Sequence, residues 1–274
     1  MTTLQSEVHW KEDNAVFGEH NHVPHDHLSD AGADTESSSF KSIVFDFDEL
    51  THHKPITLRT KAGVAGSTGL AIWTCSQILA GYLLENPHKV RSQHSVLELG
   101  SGLGLCSIVA HQLGAPKVLA TDGDVHVLQN LRHNARCNAI RHHTSPSILH
   151  CPQLIWGKQE QLDEIERLHK LQPVILATDV FYTPQSIQPL WQTVDQLLEP
   201  NGEFLLAFAP HEVSIAQVLD VARDMAFTWT CPNIGELECD DATRDNDEDL
   251  FDDPVPNSTN FGYHLFRFKR RDTQ

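Results

Sequence analysis

The nine residues Val96-Leu97-Glu98-Leu99-Gly100-Ser101-Gly102-Leu103-Gly104 constrain the chain more than any other stretch. An apolar run ends in three glycines and passes into the helical pattern LCSIVAHQLG, closed by Gly114. Strand, glycine turn and helix open a parallel βα unit. In open α/β sheets the loop at the carboxyl end of such a strand is where a ligand sits. Glycine lets the backbone turn sharply and approach a bound molecule, because no Cβ intervenes. The spacing is G-x-G-x-G: position 105 is Leu where the dinucleotide fingerprint has glycine, and the Lys-Ser/Thr of a P-loop is missing. Nicotinamide, flavin and ATP are therefore disfavoured.

Around this unit the pattern alternates. KVLATD (117–122) reads as a second strand and VHVLQNLRHNARCNA as a second helix. SILHCPQLIWG carries a third strand, EQLDEIERLHKL a polar helix or loop, and PVILATDVF a buried strand. IQPLWQTVDQLLE is helical, NG a turn, EFLLAFAP a strand, SIAQVLDVARDMA a helix, FTWTCPNI an edge strand and YHLFRFKRR the last strand. Such alternation predicts a Rossmann-like, doubly wound seven-stranded sheet with both faces covered. The final strands lie too close in sequence for a helical crossover, so the last is expected to pair antiparallel. Upstream, SIVFDFDEL (42–50) and THHKPITLRTK (51–61) predict an N-terminal β-hairpin, and GLAIWTCSQILAGYLL (69–84) an amphipathic helix ended by Pro87. Residues 1–39, rich in histidine and acid, are expected to be disordered, leaving one domain over 40–272 with an acidic insert at 235–260.

Charge and cysteine usage narrow the partners. The 274 residues hold 37 Asp+Glu against 20 Lys+Arg, a formal charge of −17. A balance this acidic argues against phosphate-backbone binding and for a basic or neutral partner. Residues 236–253 alone contain ten acids and one base, Arg244; such a run is solvated by default. No stretch of about 18 apolar residues exists to span a membrane, and the first residues lack the pattern of a secretory signal. Six cysteines without a CxxC suit reduced thiols, which points to the cytosol with the nucleus as alternative. His20, His22, His25 and His27 form the one histidine cluster, but no ligand set of known spacing accompanies it, and no metal is expected.

Two further positions belong with the glycines. Asp122 ends the second strand, 18 residues after Gly104, where an acid can accept hydrogen bonds from both ribose hydroxyls. It could also cap the helix that follows, and both roles can hold together. Trp156, closing LIWG, could pack on an adenine or lie in the core.

The set ELGSGLG, a strand-ending TD, LIWG and A-T-D-V-F-Y at 177–182 resembles the class I S-adenosylmethionine-dependent methyltransferases. More narrowly, it is similar to their family-16 branch, whose characterised members mostly methylate protein lysines. Trp73, in GLAIWTCSQILAGYLL, matches that branch's helix before the first strand. The resemblance covers about residues 40–270. It implies S-adenosylmethionine as cofactor, with Glu98, Gly100, Gly102 and Gly104 around its methionine and ribose, Asp122 on the ribose and Trp156 at the adenine. It further implies that Trp73 closes over the methionyl end and that Asp179 and Tyr182 line the acceptor channel. Asn134 and Asn138 match a pair on the second helix that we read as structural. Gly123-Asp124 departs from the family pattern and leaves open which acid meets the ribose.

On that resemblance the expected activity is methyl transfer to lysine side chains of a protein substrate, possibly a lysine-rich one, by a monomer. Attack by lysine requires loss of its proton from a pKa of about 10.4. A collar of Phe181 and Tyr182 would favour that loss by desolvation, with Asp179 orienting the amine or taking its proton through water. The rivals are another acceptor (small molecule, other side chain, nucleic acid) and a non-catalytic cofactor-binding scaffold. Asp179-Val180-Phe181-Tyr182 stands where amide or base methylation would show N/D-P-P-Y/F.

Overall fold

The parallel strands are apolar on both faces, and this commits them to the middle of a layered structure. In the computed structural model, Val96–Leu99 (β4) is buried at every position, and Lys117–Thr121 (β5) and Gln172–Thr178 (β7) at all but one. Ile148–His150 (β6), Leu198–Phe208 (β8), Phe227–Thr230 (β9) and His264–Arg270 (β10) complete a seven-stranded sheet in the order β6-β5-β4-β7-β8-β10-β9. β10 runs antiparallel between β8 and β9, so the expected antiparallel last strand is present and β9 is the edge. The described residues are 11–13, 40–46, 54–61, 68–138, 148–210, 212–232 and 262–271. The histidine cluster and the acidic insert lie outside them.

One face of the sheet is covered by Thr74–Glu85 (α1), His88–Arg91 (α2) and Leu105–Gln112 (α3). The other is covered by Gln159–His169 (α5), Ile187–Leu197 (α6) and Ile215–Asp224 (α7). Trp191 of α6 is fully buried there, edge-on to Phe204 and Phe268. The polar segment EQLDEIERLHKL is helix α5, with Leu162 and Ile165 on its buried side. The helix predicted from residue 69 begins later: Thr68–Leu70 is a single 3₁₀ turn, and Trp73, with extended dihedrals (φ −116°), is the N-cap of α1.

The N-terminal hairpin, Lys41–Phe45 (β2) with Ile56–Thr60 (β3), gains a third strand, Lys11–Asp13 (β1), inside the segment expected to be disordered. Val125–Asn138 (α4) explains how β3 is held. Asn130, Asn134 and Asn138 recur every four residues and so share one helix face. Asn138 accepts from Thr57 N and donates to Thr57 O. Asn134 accepts from Arg59 N and donates to Arg59 O, while Asn130 also donates to Arg59 O. These amides thus take the place of a further strand along the outer edge of β3. Asn134, fully buried, reaches Leu103 O as well at 3.0 Å, tying the glycine turn to the hairpin. Asn134→Ala strands Arg59 N and Leu103 O. We expect it to cost about 2–4 kcal/mol, read as a lower midpoint in urea; an unchanged midpoint would show the ladder to be incidental.

Candidate functional site

A cleft of about 610 Å³ lies at the carboxyl ends of β4, β5 and β7, a volume usual for a small-molecule site. In the sheet order β4 is flanked by β5 and β7, so the chain reverses its winding direction here, and such switch points open a crevice for ligands. Trp73, Gly100, Gly102, Gly104, Asp122, Trp156, Asp179 and Tyr182 all line the cleft. Glu98 does not.

The glycine turn has separate local reasons at two of its positions. Gly102 adopts φ +51°, and a Cβ there would stand 3.2 Å from Gly69 O. Gly104 adopts φ +89°, and its Cβ would strike Leu131 Cδ1 of α4 at 2.5 Å. The turn is pinned by Ser101 N donating to Thr121 O and Gly104 N donating to Ser101 O, at 2.8 and 2.7 Å. Gly69 was not singled out from the sequence, yet its turn forms the wall opposite Gly102. Trp73 Nε1 donates to Thr68 O at 3.0 Å, bracing that wall.

The two acids left open by the sequence both line the cleft and have different partners. Asp122 Oδ2 accepts from Gly102 N at 3.1 Å and Oδ1 from Asp124 N at 3.0 Å. Asp124 Oδ1 accepts from His126 N at 2.7 Å, so Asp124 caps α4. An ionised carboxylate has about four acceptor sites, and Asp122 spends two on backbone donors. Burial pushes its carboxyl above the ordinary range, while its backbone hydrogen bonds pull the other way.

Strand β7 stops at Thr178 because Asp179 turns into the left-handed region, φ +54°, with its N–H on Ala207 O at 2.9 Å. A side-chain-bearing residue there stores strain of about 1–3 kcal/mol, and such strain gathers at functional positions. Burial and, less, the Asp179 charge raise the Cys75 thiol of α1. Tyr182 is 48% exposed at the rim. Its phenol is pushed up by burial and, less, by the charge of Asp122.

Two expectations need correction. Phe181 is 1% exposed, packed on Trp191 and Phe208 rather than facing the cleft. The turn at Asp179 sends it into the core, so the apolar wall is made by Ile72, Trp73 and Tyr182 instead. Glu98 lies beneath the cleft with its carboxylate on Ser107 N at 2.9 Å. The strand period sets it beside Val96 against α3, on the face opposite Leu97 and Leu99. Trp156 lies beyond β6 in a turn, its Cζ2 3.1 Å from where a Gly100 Cβ would be.

Comparison with known proteins converges on one family. The family model described as lysine methyltransferase matches residues 52–218. Protein N-terminal and lysine N-methyltransferase EFM7 of Yarrowia lipolytica is 29% identical over 161 residues, 54% of this chain and 59% of that protein. Histone-arginine methyltransferase METTL23 of Xenopus laevis is 32% identical over 143 residues, 50% of this chain and 55% of that one. The chain thus spans somewhat over half the length of these curated relatives. Among solved structures, SMU.776, a putative methyltransferase complexed with S-adenosylhomocysteine, shares the fold: TM-score 0.56, 14% identity, 89% of this chain and 58% of that chain.

Proposed function

Since the chain belongs to the lysine methyltransferase family, we propose that it transfers methyl groups from S-adenosylmethionine to lysine side chains of a protein. The observation that carries this reading is the division of the cleft. Asp122 and the glycine turn occupy one side, and Asp179 with Trp73 and Tyr182 the other. The first side fits the cofactor: Gly102 faces the Gly69 wall across a gap that a Cβ would fill, and Asp122 keeps acceptor capacity for two sugar hydroxyls. Trp156 beside Gly100 would offer a ring for the base, and Trp73 would close over the methionyl end.

When bound, S-adenosylmethionine supplies a methyl group on a sulfonium, already a good leaving group. The residues of this chain therefore have to align the amine and exclude water. Asp179 draws the ammonium in by charge and fixes its direction. Ile72, Trp73 and Tyr182 desolvate it, which disfavours the charged form. Its proton leaves by way of Asp179 and water at the open rim. Asp122 holds the glycine turn and Asp124 caps α4, and Asp179, on the side of the cleft with Trp73 and Tyr182, is the carboxylate we assign to the acceptor. One carboxylate suits an amine better than a guanidinium, which is matched by a bidentate clamp and stays protonated. The name of the Yarrowia lipolytica relative favours a second reading, an N-terminal α-amine, whose pKa of about 7.7–8.0 eases the same step.

The acidic insert bears on the substrate. β10 begins beside the carboxyl end of β8, on the same side of the sheet as the cleft, and β9, antiparallel to β10, ends on that side too. The described residues that border the insert thus lie on the cleft side of the sheet, and on this reading the charge of 236–253 serves to raise the encounter rate with a lysine-rich protein. One experiment tests acceptor and insert together. The full chain and a Δ238–253 variant are incubated with methyl-labelled donor and matched lysine, arginine and free-N-terminus peptides over a salt series. Label is expected on lysine, with lower kcat/KM at low salt for the deletion. Label confined to the arginine peptide would overturn the acceptor, and an unaltered salt profile the role of the insert.

A further inference from the structure

Among the described residues Glu98 is the one fully buried carboxylate, 1% exposed, and the chemistry above gives it no task. Its surroundings do. Helix α3 starts at Leu105 with Gly104 as N-cap, and no side chain caps it. The first N–H groups of a helix lack partners within it, and an N-cap side chain normally reaches the second or third. Position 104 faces incompatible demands: any Cβ there would strike Leu131, so no capping side chain fits. Glu98 Oε2, from the strand beneath, accepts instead from Ser107 N at 2.9 Å and, very closely, from Ser107 Oγ. Ser107 is the third residue of α3, the donor a local cap would have taken. Ser107 is the residue hydrogen-bonded to this carboxyl, and the other side chains acting on it, Ser101 and Cys106, are likewise not cationic. Burial pushes its pKa up to about 7, with the hydrogen bonds from Ser107 pulling it down.

We propose that Glu98 is a positioning residue that supplies from β4 the cap Gly104 cannot, holding the Gly100–Gly104 turn ready for the cofactor without touching it. The inference rests on the cleft being the S-adenosylmethionine site. Three measurements on the full chain test it: titration with S-adenosylhomocysteine, turnover at saturating donor, and amide exchange of residues 105–107 without ligand. Glu98→Ala, an orphaned cap, should weaken binding about tenfold, speed exchange at those amides and leave saturated turnover within about twofold. Glu98→Gln keeps an acceptor and should restore affinity to within about threefold of wild type.

The proposal is overturned if Glu98→Ala leaves affinity and exchange unchanged. It is equally overturned if Glu98→Gln is as weak as Glu98→Ala, or if saturated turnover falls while affinity holds. Should Glu98→Ala not be recovered folded, Ser107→Ala decides, because it removes only the hydroxyl half of the contact. A two- to threefold loss of affinity supports the cap, and no loss overturns it. A wild-type chain that binds no S-adenosylhomocysteine would sink the functional reading, while the ligand-free exchange comparison still judges Glu98.

Discussion

Gly102→Arg is expected to abolish S-adenosylhomocysteine binding while the far-ultraviolet circular dichroism stays that of the folded sheet. Three effects add at this position. The backbone sits at φ +51°, where a side chain costs about 1–2 kcal/mol. A Cβ lies 3.2 Å from Gly69 O, so the opposite wall has to move. The remaining side chain has no room except the cleft itself, and it carries a cation to Asp122. The global cost is modest against a typical stability of about 5–15 kcal/mol, because the turn borders open space rather than core. Isothermal titration decides. Affinity within tenfold of wild type would mean that the ligand binds elsewhere.

Asp179→Asn should lower turnover by about 10²–10³-fold and leave S-adenosylhomocysteine affinity within a few-fold. Asparagine is the informative substitute because it tolerates the left-handed backbone as aspartate does, so strand β7 can still end at φ +54°. Only the charge and its capacity to take a proton are removed. Alanine at the same position adds strain to the loss of the carboxylate. If Asp179→Ala is inactive while Asp179→Asn turns over normally, aspartate is there for the bend in the chain. Single-turnover rates with saturating donor and a lysine peptide separate the two cases.

The glycine turn, Asp122 and the alternation of strands and helices were legible because each follows from a short-range rule: glycine where Cβ is barred, an acid ending a strand, a period of two or of 3.6. What was not legible depended on which way a chain turns. Phe181 and Tyr182 are neighbours of the same character, and only the left-handed step at Asp179 sends one into the core and the other to the rim. For Glu98 the family resemblance implies a ligand contact. The face of β4 it occupies becomes clear only once Val96 and Leu97 are seen to lie on opposite sides. Trp73 was placed within a helix because SQILAGYLL propagates the pattern backwards, whereas its extended dihedrals make it the helix cap. Gly69 gave no signal, since a lone glycine carries no period.

The asparagine ladder moves the boundary of the working unit. By strand count alone, a protein trimmed to begin just before Val96 keeps every β-strand of the large sheet. It would have discarded Gly69 and Trp73 along with the extension that Asn134 fastens to Leu103. The outer strands are not an appendage: they are scaffolding for one wall of the cleft, and the smallest fragment that keeps the cleft whole has to start well before the first parallel strand.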